Sequence, residues 1–291
     1  MDNFDPSYTP NHDDHTLRYS YKNQPTIIWW NLVRLGEALG ETMGMGSNVD
    51  DPEYIESGIK EEQVEAVVAR AEKLITQAGE EYKATFLGEY KKLMTARLGL
   101  RNFKESDFEE LFSEVLDTME NLELDFHHFF RRLSNLTLED IATPQATLEK
   151  ASVFFHQEGP PKTTGEEQAR QRIAGWLEKW RARIIEDWIE EDVSVAEAES
   201  ADMKRIELMK SVNPNFVPRG WILDEIIKRV EKEGEKEVLN RVMHMALNPF
   251  ADEWDGQTFD GATWKGDAEE EKRWVGDVPR FERAMQCSCS S

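Results

Sequence analysis

The sequence predicts an all-α protein, and three observations carry that expectation. Apolar residues recur at three- and four-residue intervals through most of the chain, strand-period alternation is almost absent, and no fixed-length repeat signals a solenoid. Residues 1–24 read as an irregular polar lead-in, with Asp5-Pro6, Thr9-Pro10 and a His12-Asp13-Asp14-His15 cluster. Pro25 suits a first helical turn, and Ile28, Leu32, Leu35 and Leu39 follow at helical spacing until Gly40, Gly44 and Gly46 end the helix. A second helical stretch is expected from near Glu61 to about Leu98, with a break at Gly79 or Gly88. Its apolar face holds Val64, Val67, Val68, Ala71, Leu74 and Ile75. Ser106 and Glu109 then read as a capping box, ahead of the stripe Phe108, Leu111, Phe112, Val115, Leu116, Met119 and Leu122. Thr143-Pro144 opens a short helix.

Residues 157–165 (QEGPPKTTG) read as a linker. The helix after it carries Ile173, Trp176, Leu177, Trp180, Ile184 and Trp188 on one face. A further helix is expected over Ala196–Ser211, then a Pro-rich turn (NPNFVPRGW) and two helices parted by Gly234. From Asn248 the chain turns acidic, with Asp255-Gly256 and Asp260-Gly261 as turn signals. The expected organisation is therefore 1–24 irregular, 25–156 helical, 157–165 linker, 166–247 helical, and 248–291 a turn-rich acidic tail ending in Cys-Ser-Cys.

Composition narrows the function. With 35 Lys+Arg against 58 Asp+Glu the net charge is −23, so approach to a phosphate backbone or an anionic lipid surface is repulsive. Nucleic acid and membrane are not expected partners. No stretch nears the ~18 consecutive apolar residues of a membrane span, and the acidic start Met1-Asp2-Asn3-Phe4-Asp5 lacks the basic region of a targeting peptide. The two cysteines, Cys287 and Cys289, exclude a disulfide framework and a Cys-only zinc site.

Candidate chemistry is sparse. His12, Asp13, Asp14 and His15 combine imidazole with carboxylate, as a zinc or iron site would, but a polar loop bonding its own backbone explains them as well. His127 and His128 are neighbours on a helix, point about 100° apart and cannot share one ion. Gly44-Met45-Gly46-Ser47 has no preceding strand and no Gly-Lys-Ser/Thr, so it is read as a helix-ending turn rather than a phosphate cradle. Asn135-Leu136-Thr137 fits a glycosylation sequon, read here as a helix junction. No catalytic, cofactor-binding or metal residue is assigned. Cys287 and Cys289 are the redox candidates, because a thiol on a terminal tail is accessible and easily oxidised.

Several segments in order resemble the selenoprotein O family of pseudokinase-fold protein adenylyltransferases: FDPSYTPNHDD, RYSYKNQP and WNLVRLGEAL, then FHHFFRRLS, WLEKWRARI and NPNFVPRGWILDEII, and the terminal CSCSS. Cys289 matches the family's selenocysteine position. The resemblance implies adenylyl transfer from ATP, with Mg²⁺, to Ser, Thr or Tyr hydroxyls of target proteins. It also implies a link to redox homeostasis and a mitochondrial location.

On this resemblance the fold is expected to be the C-terminal part of a protein-kinase-like C-lobe plus a helical extension, with residues 1–24 resembling an activation segment. The N-lobe and catalytic loop are expected to be absent, since the family's nucleotide and magnesium residues match positions before Met1. The chain alone is then expected to be inactive, with the missing part or a full-length relative as a partner. The alternative is a non-catalytic helical interaction module or a redox tail. Pro10 stands where some members carry a redox Cys, and Leu17 where the family usually has Gly before Arg-Tyr.

Overall fold

The computed structural model describes residues 2–190 and 192–283. They divide into two compact units: residues 6–91, and residues 92–283 together with 2–5.

In the smaller unit α1 (Gln24–Ala38), with Pro25 in its first turn, leads into α2 (Gly40–Met45) and α3 (Pro52–Ser57), then into α4 (Val64–Arg97), whose last residues belong to the larger unit. Gly40 and Gly44 lie inside α2 instead of stopping a helix. With Gly36 they form a seam against α4: a Cβ on Gly36 would lie 2.9 Å from Ile75, and one on Gly44 would lie 2.4 Å from the Val67 carbonyl oxygen. Only a residue without a side chain allows backbones that close. The expected break in α4 does not occur. Gly79 lies inside the helix and leaves room for Trp29, whose ring is 2.8 Å from where a Cβ would sit and stacks on Tyr82. With the glycines turned inward, Ile28, Leu32, Leu35 and Leu39 are left exposed.

The larger unit is built around α9 (Glu166–Trp188). Its predicted face is buried throughout: Ile173, Trp176, Leu177, Trp180, Ile184 and Trp188. An indole buries a large area but needs an acceptor for its N–H. Trp176 donates to the Leu111 carbonyl (3.1 Å), Trp180 to that of Leu98 (2.8 Å) and Trp188 to that of Gly99 (2.7 Å). The facing helix runs through α5 (Glu105–Asp107), a π-turn over Phe108–Ser113 and α6 (Glu114–Asn121). It starts earlier than Ser106. Lys104 precedes it and donates its backbone N–H to the Asp107 carboxylate at 2.7 Å. Then come α7 (Phe126–Ser134), α8 (Pro144–Lys150), whose first turn is capped by the Thr143 hydroxyl, and α10 (Val195–Val212).

A second core gathers Phe216 of the NPNFVPRGW turn with Trp221, Ile222, Ile226, Val238, Met245, Trp254 and Trp274 from α11 (Gly220–Lys228), α12 (Glu237–Leu247) and the segment after them. That segment corrects the all-α expectation. Thr258–Phe259 (β1) pairs antiparallel with Ala262–Thr263 (β2), and α13 (Ala268–Trp274) follows. Asp260 and Gly261 both have positive φ, 49° and 82°, the signature of a tight hairpin turn.

Candidate functional site

Asp125 immediately precedes α7 and caps it, accepting the His128 backbone N–H at 2.9 Å. The same carboxylate pairs with Arg219, which leads into α11: Nη1 to Oδ2 is 2.7 Å and Nη2 to Oδ1 is 3.0 Å. Arg219 also holds Asp2 at 2.6 Å, while the Phe4 N–H donates to the Leu124 carbonyl at 2.7 Å. On the far side of Asp125 the His128 ring lies 3.4 Å from Asp277, which pairs with Arg132 at 2.6 Å and accepts the Gln157 N–H at 2.7 Å. Asp125 is 1% exposed and Arg219 6%, so their charges persist only because each has its partner. Burial pushes the Asp125 carboxyl up, but His128 and Arg219 outweigh it and hold the group below its ordinary value. Burial likewise opposes the Arg219 charge, and Asp125 and Asp2 more than restore it. Asp277 follows the same pattern: burial raises it, and His128 and Arg132 bring it far down.

The network thus ties residues 2–5, α7, the NPNFVPRGW turn and the segment after α13 into one cluster. Two of its contributors, FHHFFRRLS and NPNFVPRGW, are segments singled out in the sequence. The charged residues themselves were not singled out. The only local signal was Asp125 standing one residue before an apolar helix. His127, next to His128 on α7, points away as the helical step requires. Burial, with Arg219 and Arg97 nearby, lowers its pKa from 6.5 to about 3.

That shift has a sign. The folded chain keeps His127 neutral while the unfolded chain takes up a proton below pH 6.5, so stability is intact above that pH and is lost as pH falls toward 3. The melting temperature is expected to drop steadily between pH 6.5 and 4, and His127→Gln should flatten that slope. His156 and His244, also held below 6.5, add to the same slope, and the lowered carboxylates, Asp125 and Asp277 among them, add to it from about pH 5 downward. An unchanged slope in the variant would refute the assignment.

The other sequence candidates lie elsewhere. Asp14 accepts the backbone N–H groups of Arg18 (3.0 Å) and Tyr19 (2.8 Å), closing its own loop, and His12 rests 3.0 Å from Asp13. The Tyr19 and Arg18 bonds lower the Asp14 pKa, against the opposing effect of burial. Leu17 in that loop has a φ of 55°, a conformation that costs any residue but glycine roughly 1–2 kcal/mol. Among the described residues no three His, Cys, Asp or Glu side chains converge as a metal site. No helix among them is long and apolar enough to cross a membrane. Cys287 and Cys289 fall outside the described residues.

A family model described as "Protein adenylyltransferase SelO" matches residues 1–247. The chain belongs to the SelO family. A SelO relative of Schizosaccharomyces pombe, named a mitochondrial protein adenylyltransferase, is 32% identical over an alignment covering all of this chain and 47% of the relative. The Saccharomyces cerevisiae SelO, also named mitochondrial, is 28% identical over all of this chain and 48% of its own length. The Myxococcus xanthus protein nucleotidyltransferase YdiU is 27% identical over 91% of this chain and 43% of its own. The chain spans about half the length of the curated relatives it matches. These matches correct the reading of the fold as a kinase C-lobe remainder without its N-lobe and catalytic loop. One SelO model runs through residues 1–247, and the inactivity inferred from a remainder loses its basis with it.

Proposed function

We propose that this chain serves protein adenylylation: a Ser, Thr or Tyr hydroxyl oxygen of a protein substrate bonds to the α-phosphorus of ATP, pyrophosphate leaves, and the hydroxyl proton is released. The SelO match over residues 1–247 carries the reading. The mitochondrial names of the two yeast relatives support a mitochondrial setting. The part of this chain that the structure describes is the helical body. Its charge network fixes α7, α11 and the segments beside them in one arrangement, and precise positioning is most of what phosphoryl-type transfer asks of a protein. Magnesium belongs to such chemistry, but the described residues offer it no converging set of carboxylates, and no step here is assigned to a metal.

Mass spectrometry of AMP-modified peptides tests the proposal. Cells lacking the gene should lose a set of AMP-modified Ser, Thr or Tyr peptides, and the intact gene should restore it. Identical peptide sets with and without the gene would overturn the reading.

A further inference from the structure

Beside the charge network the larger unit carries a second feature. A cleft of about 280 Å³ is lined by His156, the 158–163 loop, Glu123, Arg280 and Arg283. Its volume falls just below the ~300–1,000 Å³ of small-molecule sites, enough for a small anion and part of what it is attached to. Its loop is stiffened by Pro160 and Pro161 and closed by a Thr164 N–H bond to the Pro161 carbonyl at 2.9 Å, so Lys162 is presented without much ordering cost.

Three cations in one cleft stand out on a chain of net charge −23. Arg283 is paired with Glu158 at 2.9 Å, whereas Lys162 and Arg280 form no ion pair with a described residue.

The fourth group decides the chemistry. His156 is 8% exposed. Its Nε2 lies 3.0 Å from Asn3 Oδ1 and 3.1 Å from the Glu123 carbonyl oxygen. A carbonyl oxygen only accepts, so Nε2 carries the proton, and Nδ1 of the neutral ring is left as an acceptor. Nδ1 is buried and has no hydrogen-bond partner among the described residues. Burial and the Arg283 charge hold the ring below its ordinary pKa, against the opposing carboxylates of Asp277 and Asp125. The cleft therefore combines cations that want an anion with an acceptor that wants a proton. A bare dianion serves only the first. Glu123 and Glu158 also line the cleft and disfavour anions that bring nothing to His156.

We propose that this cleft binds the phosphate group of free phosphate or of a small phosphate monoester, its oxygens on Lys162, Arg280 and Arg283 and its own O–H donated to His156 Nδ1. Phosphate suits both demands because its second proton titrates near pH 6, so at neutral pH it can bring or share that hydrogen. Sulfate has the same size and charge and no such proton. The inference does not depend on the adenylylation reading.

Calorimetric titration of the full chain at pH 7 and constant ionic strength tests it, with inorganic phosphate, AMP and sulfate in separate arms. Saturable binding is expected for phosphate or AMP, and the tighter of the two identifies the source. Sulfate should bind about tenfold more weakly, the size of one charge-assisted hydrogen bond. Lys162→Ala, on an exposed loop residue, should weaken phosphate binding about tenfold by the same reasoning. His156→Gln retains a donor for Asn3 and Glu123 and lacks Nδ1, so it should erase the preference for phosphate over sulfate. If that variant fails to melt cooperatively, the Lys162 variant and the wild-type sulfate arm carry the test. No saturable phosphate or AMP binding, equal sulfate binding in the wild type, or an unchanged affinity in Lys162→Ala would each overturn the proposal.

Discussion

Arg219→Ala is expected to destabilise the larger unit by about 3–5 kcal/mol, because it strands two carboxylates rather than deleting one contact. Asp125 is 1% exposed and Asp2 20%, and Arg219 lies 2.7 and 2.6 Å from them. Without the guanidinium, Asp125 keeps the His128 N–H and the His128 ring at 3.7 Å as partners. Urea unfolding of wild type and variant, compared at equal m-value, reads the change. Adding Asp125→Asn to the variant should return part of the loss, since the amide oxygen still caps α7 and the stranded charge is gone. A loss below about 1 kcal/mol would place this pair among surface ion pairs that contribute little.

Trp180→Ala should cost a similar amount, about 3–5 kcal/mol, by opening a cavity in the middle of α9's buried face. Trp180 is fully buried, lies parallel to Trp176 with ring centroids 6.3 Å apart, and donates to the Leu98 carbonyl. Trp180→Phe separates the two contributions. It keeps most of the apolar volume and orphans the Leu98 carbonyl, for an expected loss of about 1–3 kcal/mol. Thermal unfolding followed by far-ultraviolet dichroism measures both. Equal losses in the two variants would mean that the hydrogen bond, not the volume, is what matters there.

Local regularities of the sequence were legible, and long-range ones were not. The α9 face could be read because six large residues repeat at helical spacing, and all six are buried. The α8 start could be read because Thr143-Pro144 states its own cap. The same reasoning misjudged Gly40, Gly44 and Gly79. A glycine that ends a helix and one that admits a neighbouring helix look alike until the neighbour is known, and here the neighbours are Val67 and Trp29. Leu17 was flagged by resemblance, and its positive φ gives the physical content of a glycine preference at that position. The hairpin at 258–263 was visible only as an Asp-Gly turn, since two residues per strand are too few to show a period. The charge network was out of reach because its members are scattered: Arg219 meets Asp125 across 94 residues and Asp2 across 217. The candidate cleft shares that origin, as His156, Lys162 and Arg280 carry no spacing pattern.

The pairing of Asp2 with Arg219 also sets a clock. A ribosome adding ~5–20 residues per second delivers the arginine roughly 10–40 seconds after the aspartate it will neutralise. Throughout that interval the body that residues 2–5 belong to cannot be finished, while residues 6–91, a unit of their own, are complete before half of it has passed. Biosynthesis therefore passes through a stage in which one unit can mature while the other still waits for its arginine.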